Sequence, residues 1–135
     1  MAERLTTVAI VNTNPDLVRL LRFSLEAAGF VVFIMHIEDM RVGMTNIGSM
    51  LREHDPRVVI YDVAPPYDSN WNFLKHLREH TDFKGRKFVL TSMNVDRLHQ
   101  VVRDDEHVYE IVGQRDDLDE IVRAVKEASR ARPTR

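Results

Sequence analysis

A run of apolar residues that ends on a single carboxylate is the feature that most constrains the fold of this chain. Residues 58–61 form the run, Asp62 follows it, and Pro65 and Pro66 come shortly after. A continuous apolar run is typical of a parallel strand that is buried on both faces. In open α/β sheets the chemistry lies at the carboxyl ends of such strands. The pattern therefore predicts that Asp62 lies at the functional edge of a sheet, where a carboxylate can act as a nucleophile or bind a cation.

Four more short apolar runs predict the other strands of the sheet. They lie at residues 8–11, 30–35, 88–90 and 108–112. The segments between the runs have the spacing of amphipathic helices, so strands and helices alternate along the chain. This alternation predicts an α/β protein with a doubly wound parallel sheet and helices on both faces, which makes three layers.

The first and last helices have the clearest signals. Asn14 can cap the first helix, Pro15 suits its first position, and Gly29 supplies its end. Its predicted buried face is Leu17, Leu20, Leu21, Ser24 and Ala28. The last helix is capped by Asp116 or Asp117, and its predicted buried stripe is Leu118, Ile121, Val122, Val125 and Ala128. Further helices are expected near 70–80 and 94–103 and from about 47 to 54, whereas 38–49 is predicted to hold an insertion.

Composition excludes several classes of protein. The chain has 135 residues, enough for one domain with a core, which we place at 1–128 before a basic tail at 129–135. Its net charge of −2 argues against a nucleic-acid or membrane-surface protein. The absence of cysteine excludes disulfides, thiol catalysis and cysteine-bound metal. No segment has the pattern of a membrane span or a signal peptide, so we expect a cytoplasmic protein.

The order and spacing of these pieces resemble the receiver domain of bacterial two-component response regulators. The family's third strand ends in a phosphoacceptor Asp with a Pro four residues later, as at Asp62 and Pro66. Its fourth strand ends in Thr or Ser, as at Thr91, and its last helix begins like residues 117–120. The resemblance covers nearly the whole chain. It implies the flavodoxin-like receiver fold, with five strands in the order 2-1-3-4-5.

The residues after the first strand depart from the family. Receivers carry adjacent acidic residues there, which hold Mg²⁺, whereas this chain has Asn12, Thr13 and Asn14. Mg²⁺ prefers octahedral oxygen ligands that include one or two carboxylates. Asp62 is the only obvious carboxylate of the expected pocket. The resemblance therefore implies a weak Mg²⁺ site at Asp62 with Asn12, Thr13 and the backbone of Ala64, and we expect no required cofactor.

The segment before the last helix departs as well. Receivers carry a Lys-Pro pair whose Lys contacts the phosphoryl group, and this chain has Gln114 and Arg115. A charge-assisted hydrogen bond contributes about 1.5–3 kcal/mol, so a neutral Gln114 forfeits roughly ten- to a hundredfold in transition-state stabilisation. The family's switch aromatic falls on Ile111. The expected pocket is thus Asn12, Thr13, Asn14, Thr91, Gln114 and Arg115 around Asp62, with no catalytic residue.

These residues favour an atypical receiver in two-component-type signal transduction, one that is not an enzyme. It would act mainly through protein–protein contacts, with weak or absent Mg²⁺-dependent phosphorylation. One alternative is a functional phosphoacceptor that a sensor histidine kinase phosphorylates on Asp62. Another is a flavodoxin-like protein that binds a small ligand, although residues 12–16 contain no glycine, and Pro15 removes a backbone donor.

The expected partners are signalling proteins, either a histidine kinase or a downstream effector, and neither nucleic acid nor a membrane. The resemblance also implies a homodimer through the fourth helix, the fifth strand and the fifth helix. That face carries charges of both signs at Arg97, Arg103, Asp104, Arg115, Asp116, Asp119, Arg123 and Lys126. Such charges suit salt-bridged pairing, but any solvated helix also shows them.

Four side chains on or near the third helix have two interpretations each. Trp71 and Tyr67 either form a partner surface or, for Trp71 at least as readily, pack in the core beneath the loop. His76 has a second histidine, His80, four residues later, the spacing of a two-histidine metal site. No carboxylate completes a recognised metal motif, so exposed histidines are the favoured interpretation.

Overall fold

The computed structural model describes residues 5–11, 15–36, 44–79, 81–103, 108–112 and 117–130. Within these ranges strands and helices alternate along the chain. The strands are β1 (Thr7–Val11), β2 (Val31–Met35), β3 (Val58–Asp62), β4 (Lys87–Thr91) and β5 (Val108–Ile111). The α-helices are α1 (Pro15–Ala27), α2 (Met44–His54), α3 (Tyr67–Glu79), α4 (Val95–Val102) and α5 (Leu118–Arg130), with a 3₁₀ turn at Thr81–Phe83.

The strands form one parallel sheet in the order β2-β1-β3-β4-β5. Both the strand assignments and the 2-1-3-4-5 order predicted from the sequence are confirmed. The central strand β3 lies between β1 and β4, and its register places Val11 opposite Tyr61 and Asp62 opposite Thr91. Because parallel strands end at the same edge, this register brings the two polar residues at the ends of β3 and β4 side by side.

Two apolar clusters cover the two faces of the sheet, and β3 contributes to both. Val58 and Ile60 face one cluster, whereas Val59 and Tyr61 face the other, as the two-residue period of a strand requires. The first cluster contains residues of α1 and α5, and the second contains residues of α2, α3 and α4. All five residues of β3 are buried, which confirms the interpretation of its continuous apolar run.

The buried face of α1 differs from the predicted one. The structure buries Leu17, Val18, Leu21 and Leu25. Leu20 is 57% exposed, so its assignment to the core was wrong, and Ser24 is only half-buried. At about 100° per residue, Leu20 lies roughly a third of a turn away from the centre of the buried stripe. The helix therefore exposes the apolar side chain of Leu20 to solvent. The buried face of α1 is narrower than its sequence predicts.

The other helices need smaller corrections. In α5, Ala124 is buried, whereas Leu118 and Val122 are only partly buried. Asp117 caps this helix by accepting a hydrogen bond from the Glu120 amide at 3.2 Å. The helix continues to Arg130, two residues past the expected end of the domain at 128.

The end of α1 agrees with the prediction from the sequence, whereas α2 is longer than predicted. Gly29 has a φ of +97°, which confirms its role at the end of α1 because only glycine adopts this conformation without strain. The α2 helix begins at Met44, earlier than predicted. Of the insertion predicted at 38–49, residues 44–49 belong to α2 and 38–43 lie outside the described residues. The proposed cap Asn14, Asp104, Asp116 and residues 131–135 of the predicted tail also lie outside them. In the described ranges, no helix is long and apolar enough to span a membrane.

Arg86 connects the segments that lead into β3 and β4, at the edge of the sheet opposite Asp62. Its guanidinium donates to the carbonyl oxygens of Asp82 (2.7 Å), Pro56 (2.6 Å) and Leu51 (3.2 Å). It also forms an ion pair with Asp55 at 2.8 Å, and its side chain is only 13% exposed. These partners belong to the segments that enter β3 and β4, so one side chain fixes both strand starts.

Replacing Arg86 with Met should lower the free energy of unfolding by about 2–4 kcal/mol, because several carbonyl groups would lose a charged donor. Urea denaturation followed by circular dichroism measures this change. The control is Arg22→Met, which removes a half-exposed pair with Glu26 and should change stability by less than about 0.5 kcal/mol. Equal effects of the two substitutions would contradict the role assigned to Arg86.

Candidate functional site

Asp62 is the last residue of the central strand and the only acidic residue among the buried residues of the described chain. It is 4% exposed. The apolar run before it is buried on both faces, so the strand can place a charged group only where it ends. Its predicted position at the carboxyl edge of the sheet is confirmed.

Thr91, at the end of β4, lies beside Asp62 and bonds to it directly. The Thr91 hydroxyl donates to Asp62 Oδ1 at 2.8 Å, and both side chains are buried. The backbone reinforces this contact, because the Val63 amide donates to the Thr91 carbonyl at 2.9 Å. A hydroxyl that donates to a buried carboxylate supplies part of the hydrogen bonding that water would otherwise provide.

The loop after β3 is held by Asn70 of α3. The Asn70 side-chain amide donates to the Ala64 carbonyl at 2.5 Å, and its backbone amide donates to the Pro66 carbonyl at 3.1 Å. The peptide bond between Pro65 and Pro66 is cis. The Ala64 carbonyl, which the sequence analysis offers as a ligand for Mg²⁺, is therefore already an acceptor within the protein. Asn70 carries no motif that would have identified it from the sequence.

The loop after β4 is ordered by a second set of polar contacts. Ser92 is fully buried, and its hydroxyl accepts a hydrogen bond from the Asn94 amide at 3.2 Å. Asn94 in turn caps α4 by accepting from the Arg97 amide at 3.0 Å. Arg97 also lies 3.6 Å from Asp68 of α3, which links the two loops that flank Asp62. Ser92 belongs to no motif in the sequence, and its place directly after Thr91 is the one signal that marks it.

The remaining predicted residues of the pocket have mixed outcomes. Ile111, the expected switch position, is the last residue of β5 and packs partly buried against the cluster that contains Tyr61. The residues expected to complete the pocket lie outside the described part of the chain, and their roles stay predictions. They are Asn12, Thr13, Asn14, Gln114 and Arg115.

The side chains of α3 that had two interpretations differ in their burial. Trp71 is buried in the core, with the Arg78 guanidinium 5.0 Å from the centre of its ring, so the core interpretation is confirmed. Tyr67 is partly buried against the same cluster. His76 has an exposed side chain 3.9 Å from Glu79, and His80 lies outside the described residues.

Comparison with known proteins identifies the fold. No family model and no curated protein matches the chain. Among solved structures, a sensor protein from Polaromonas sp. JS666 superposes with a TM-score of 0.72 at 17% identity, over 92% of this chain and 95% of that one. A response regulator from Thermotoga maritima gives 0.71 at 19% identity, over 95% and 100%. A CheY-like receiver domain from Methylobacillus flagellatus gives 0.68 at 18% identity, over 93% and 99%. This chain has the receiver fold.

A Mg²⁺ ion at this edge of the sheet would find Asp62 as the only buried carboxylate among the described residues. Such an ion takes six oxygens in near-ideal octahedral geometry, usually with one or two carboxylates. The described residues contain no group of three or more His, Cys, Asp or Glu side chains arranged to hold a metal. Asp62 is buried against Thr91, and the residues at 12–14 add no carboxylate to the set. One carboxylate is the smallest number that such a site uses, and this one already accepts the Thr91 hydroxyl.

The contact between Asp62 and Thr91 should be measurable as a coupling energy. Thr91→Val should lower the free energy of unfolding by about 1–3 kcal/mol, because Asp62 would lose this donor. In an Asp62→Ala background the same substitution should matter less, with a coupling of about 1–2 kcal/mol in a double-mutant cycle. Thr91→Ser keeps the hydroxyl and serves as the control. Additive effects of Thr91→Val and Asp62→Ala would show that the hydrogen bond contributes nothing.

Proposed function

We propose that this chain is a receiver-like signalling module that acts mainly through contacts with other proteins. In this proposal Mg²⁺-dependent phosphorylation of Asp62 is weak or absent, and the domain has no catalytic activity of its own. The receiver fold and the place of Asp62 within it support a role in two-component-type signalling. The neighbours with this fold include proteins described as response regulators and as a sensor protein.

The observation that carries the proposal is the environment of Asp62. To attack phosphorus, a carboxylate must offer an oxygen to an incoming phosphoryl donor. Here Asp62 is 4% exposed, and one of its oxygens accepts the Thr91 hydroxyl at 2.8 Å. Asp62 has the place in the fold that a phosphoacceptor would have. Its burial and its hydrogen bond to Thr91, however, are those of a structural buried polar group.

At the positions where receivers carry the charged groups that assist phosphoryl transfer, this sequence has neutral side chains. A divalent cation normally offsets the negative charge of the phosphoryl donor and positions the reactants. The segment at 12–14 offers two amides and a hydroxyl in place of the acidic pair, and Gln114 is neutral where receivers carry a lysine. A carboxylate without acidic neighbours also needs no cation to offset mutual repulsion. The domain is then independent of Mg²⁺ both in folding and in function.

A working phosphoacceptor is the second candidate, and one observation favours it. Asp62 lies opposite Thr91 at the carboxyl edge of a receiver fold, which is the arrangement that the resemblance assigns to phosphorylated receivers. In that case a sensor histidine kinase is the partner that donates the phosphoryl group, and Arg115 is the cation available to replace the lysine. The two candidates differ in whether Asp62 reacts.

Incubation with acetyl phosphate and Mg²⁺, followed by intact-protein mass spectrometry, separates the candidates. We expect no stable phosphoryl adduct on the wild-type chain, because the pocket lacks the cation and the ammonium group. A second readout is the NMR spectrum with beryllofluoride and Mg²⁺, which should leave the amide of Val63 unshifted.

Two variants make a negative result interpretable. The combined substitution Asn12→Asp, Thr13→Asp and Gln114→Lys restores the charges of the family and should gain labelling by at least about tenfold. Adding Asp62→Asn to that variant should abolish the gain. A saturable adduct on the wild-type chain that disappears in Asp62→Asn would instead establish the working phosphoacceptor.

A further inference from the structure

A groove between α1 and α5 is a feature of the described surface that the proposed function does not use. Its volume is about 460 Å³, and Phe23, Ser24 and Ala27 of α1 form one wall. Asp119, Val122, Arg123 and Lys126 of α5 form the other wall. The residues that line it are distinct from Asp62, Thr91 and the loops that hold them.

The α1 wall carries an apolar ridge that faces solvent. Phe23 is 76% exposed and Leu20 is 57% exposed, and with Ala27 they follow the three- and four-residue spacing of one helix face. Val122 of α5, only partly buried, continues the apolar surface across the groove. Association would remove the exposed Phe23 ring and the apolar surface beside it from water.

Along the α5 wall an acidic residue lies at one end and a basic residue at the other, an order that suits pairing with the same wall of a second copy. Arg123, in the middle, is already bonded to Glu110 at 3.0 Å and Glu127 at 3.1 Å, and the Glu110 hydrogen bond raises its pKa. Asp119 and Lys126 lie on either side, and within the described ranges neither side chain has an ion-pair partner. They are two helical turns apart, about 10.5 Å along the axis.

We propose that this groove is the interface of a symmetric homodimer. A twofold axis through the middle of the groove sets the two α5 helices antiparallel, so that Asp119 of each copy faces Lys126 of the other. An isologous contact of this kind uses the same patch twice. The Phe23 ring of one copy then lies against Val122 and Ala27 of its partner. The inference stands apart from the proposed function, since it uses neither Asp62 nor its neighbours.

The self-complementary charges select a second copy over a partner with a uniform charge. The apolar part of the face is small, so we expect a weak dimer, with a dissociation constant on the order of micromolar. The face of α4, β5 and α5, which the resemblance suggests for dimerisation, shares Asp119, Arg123 and Lys126 with this groove. Two of its described cations, Arg97 and Arg123, are engaged within the same chain, the former with Asp68.

Sedimentation equilibrium over a series of concentrations, from low micromolar to several hundred micromolar, tests the proposal. The wild-type chain should show a reversible monomer–dimer equilibrium. Phe23→Ser should raise the dissociation constant by about tenfold or more, because a central aromatic contact is lost. Met93→Ser is the matched control, since Met93 is 73% exposed but lies outside the groove, and it should leave the equilibrium unchanged. Asp62→Asn should also have no effect.

Charge reversal tests the antiparallel arrangement itself. Asp119→Lys alone and Lys126→Asp alone should each weaken the dimer, because like charges then face each other across the axis. The double variant exchanges the two charges and should restore association to near the wild-type level. A wild-type chain that stays monomeric at every concentration overturns the proposal. So does a double variant that fails to recover, or a dimer that Arg97→Ser disrupts and Phe23→Ser does not.

Discussion

The burial of β3 on both faces is the constraint on which the rest of this structure depends. A strand enclosed by two apolar layers can carry a polar side chain only at its end, and β3 does so at Asp62. Once buried there, the carboxylate needs a hydrogen-bond donor, and the register of β4 supplies the Thr91 hydroxyl. The same register fixes the two loops that Asn70 and Ser92 hold in place. The candidate site is thus a consequence of how the sheet is buried.

The sequence predicts much of this arrangement because its strongest signals are local. Continuous apolar runs mark parallel strands, and Gly29 and Asp117 mark helix ends through their own backbone chemistry. The position of Asp62 followed from the end of its apolar run, and the resemblance to receivers assigned Thr91 to the end of the next strand. Leu20 shows where this reasoning fails. Helical spacing defines a stripe, but only the packing of α1 against the sheet decides how wide the buried part is.

The features that the sequence did not reveal join residues that are far apart in the chain. Arg86 reaches carbonyl groups about thirty positions earlier, and no local pattern marks it as an anchor. The groove between α1 and α5 has the same origin, because its two walls come from opposite ends of the chain. The sequence does not show that Phe23 is exposed beside a groove, because that depends on how α1 and α5 pack in the fold.

The proposed function depends on a deficit of charge around Asp62, and the affinity for Mg²⁺ tests that deficit most directly. Isothermal titration of the wild-type chain, of Asp62→Ala and of a variant with Asn12→Asp and Thr13→Asp separates the contributions. We predict that Mg²⁺ binds the wild-type chain at least about tenfold more weakly than the variant with restored acids, and that Asp62→Ala changes the wild-type affinity little. Tight binding to the wild-type chain that Asp62→Ala abolishes would contradict the account.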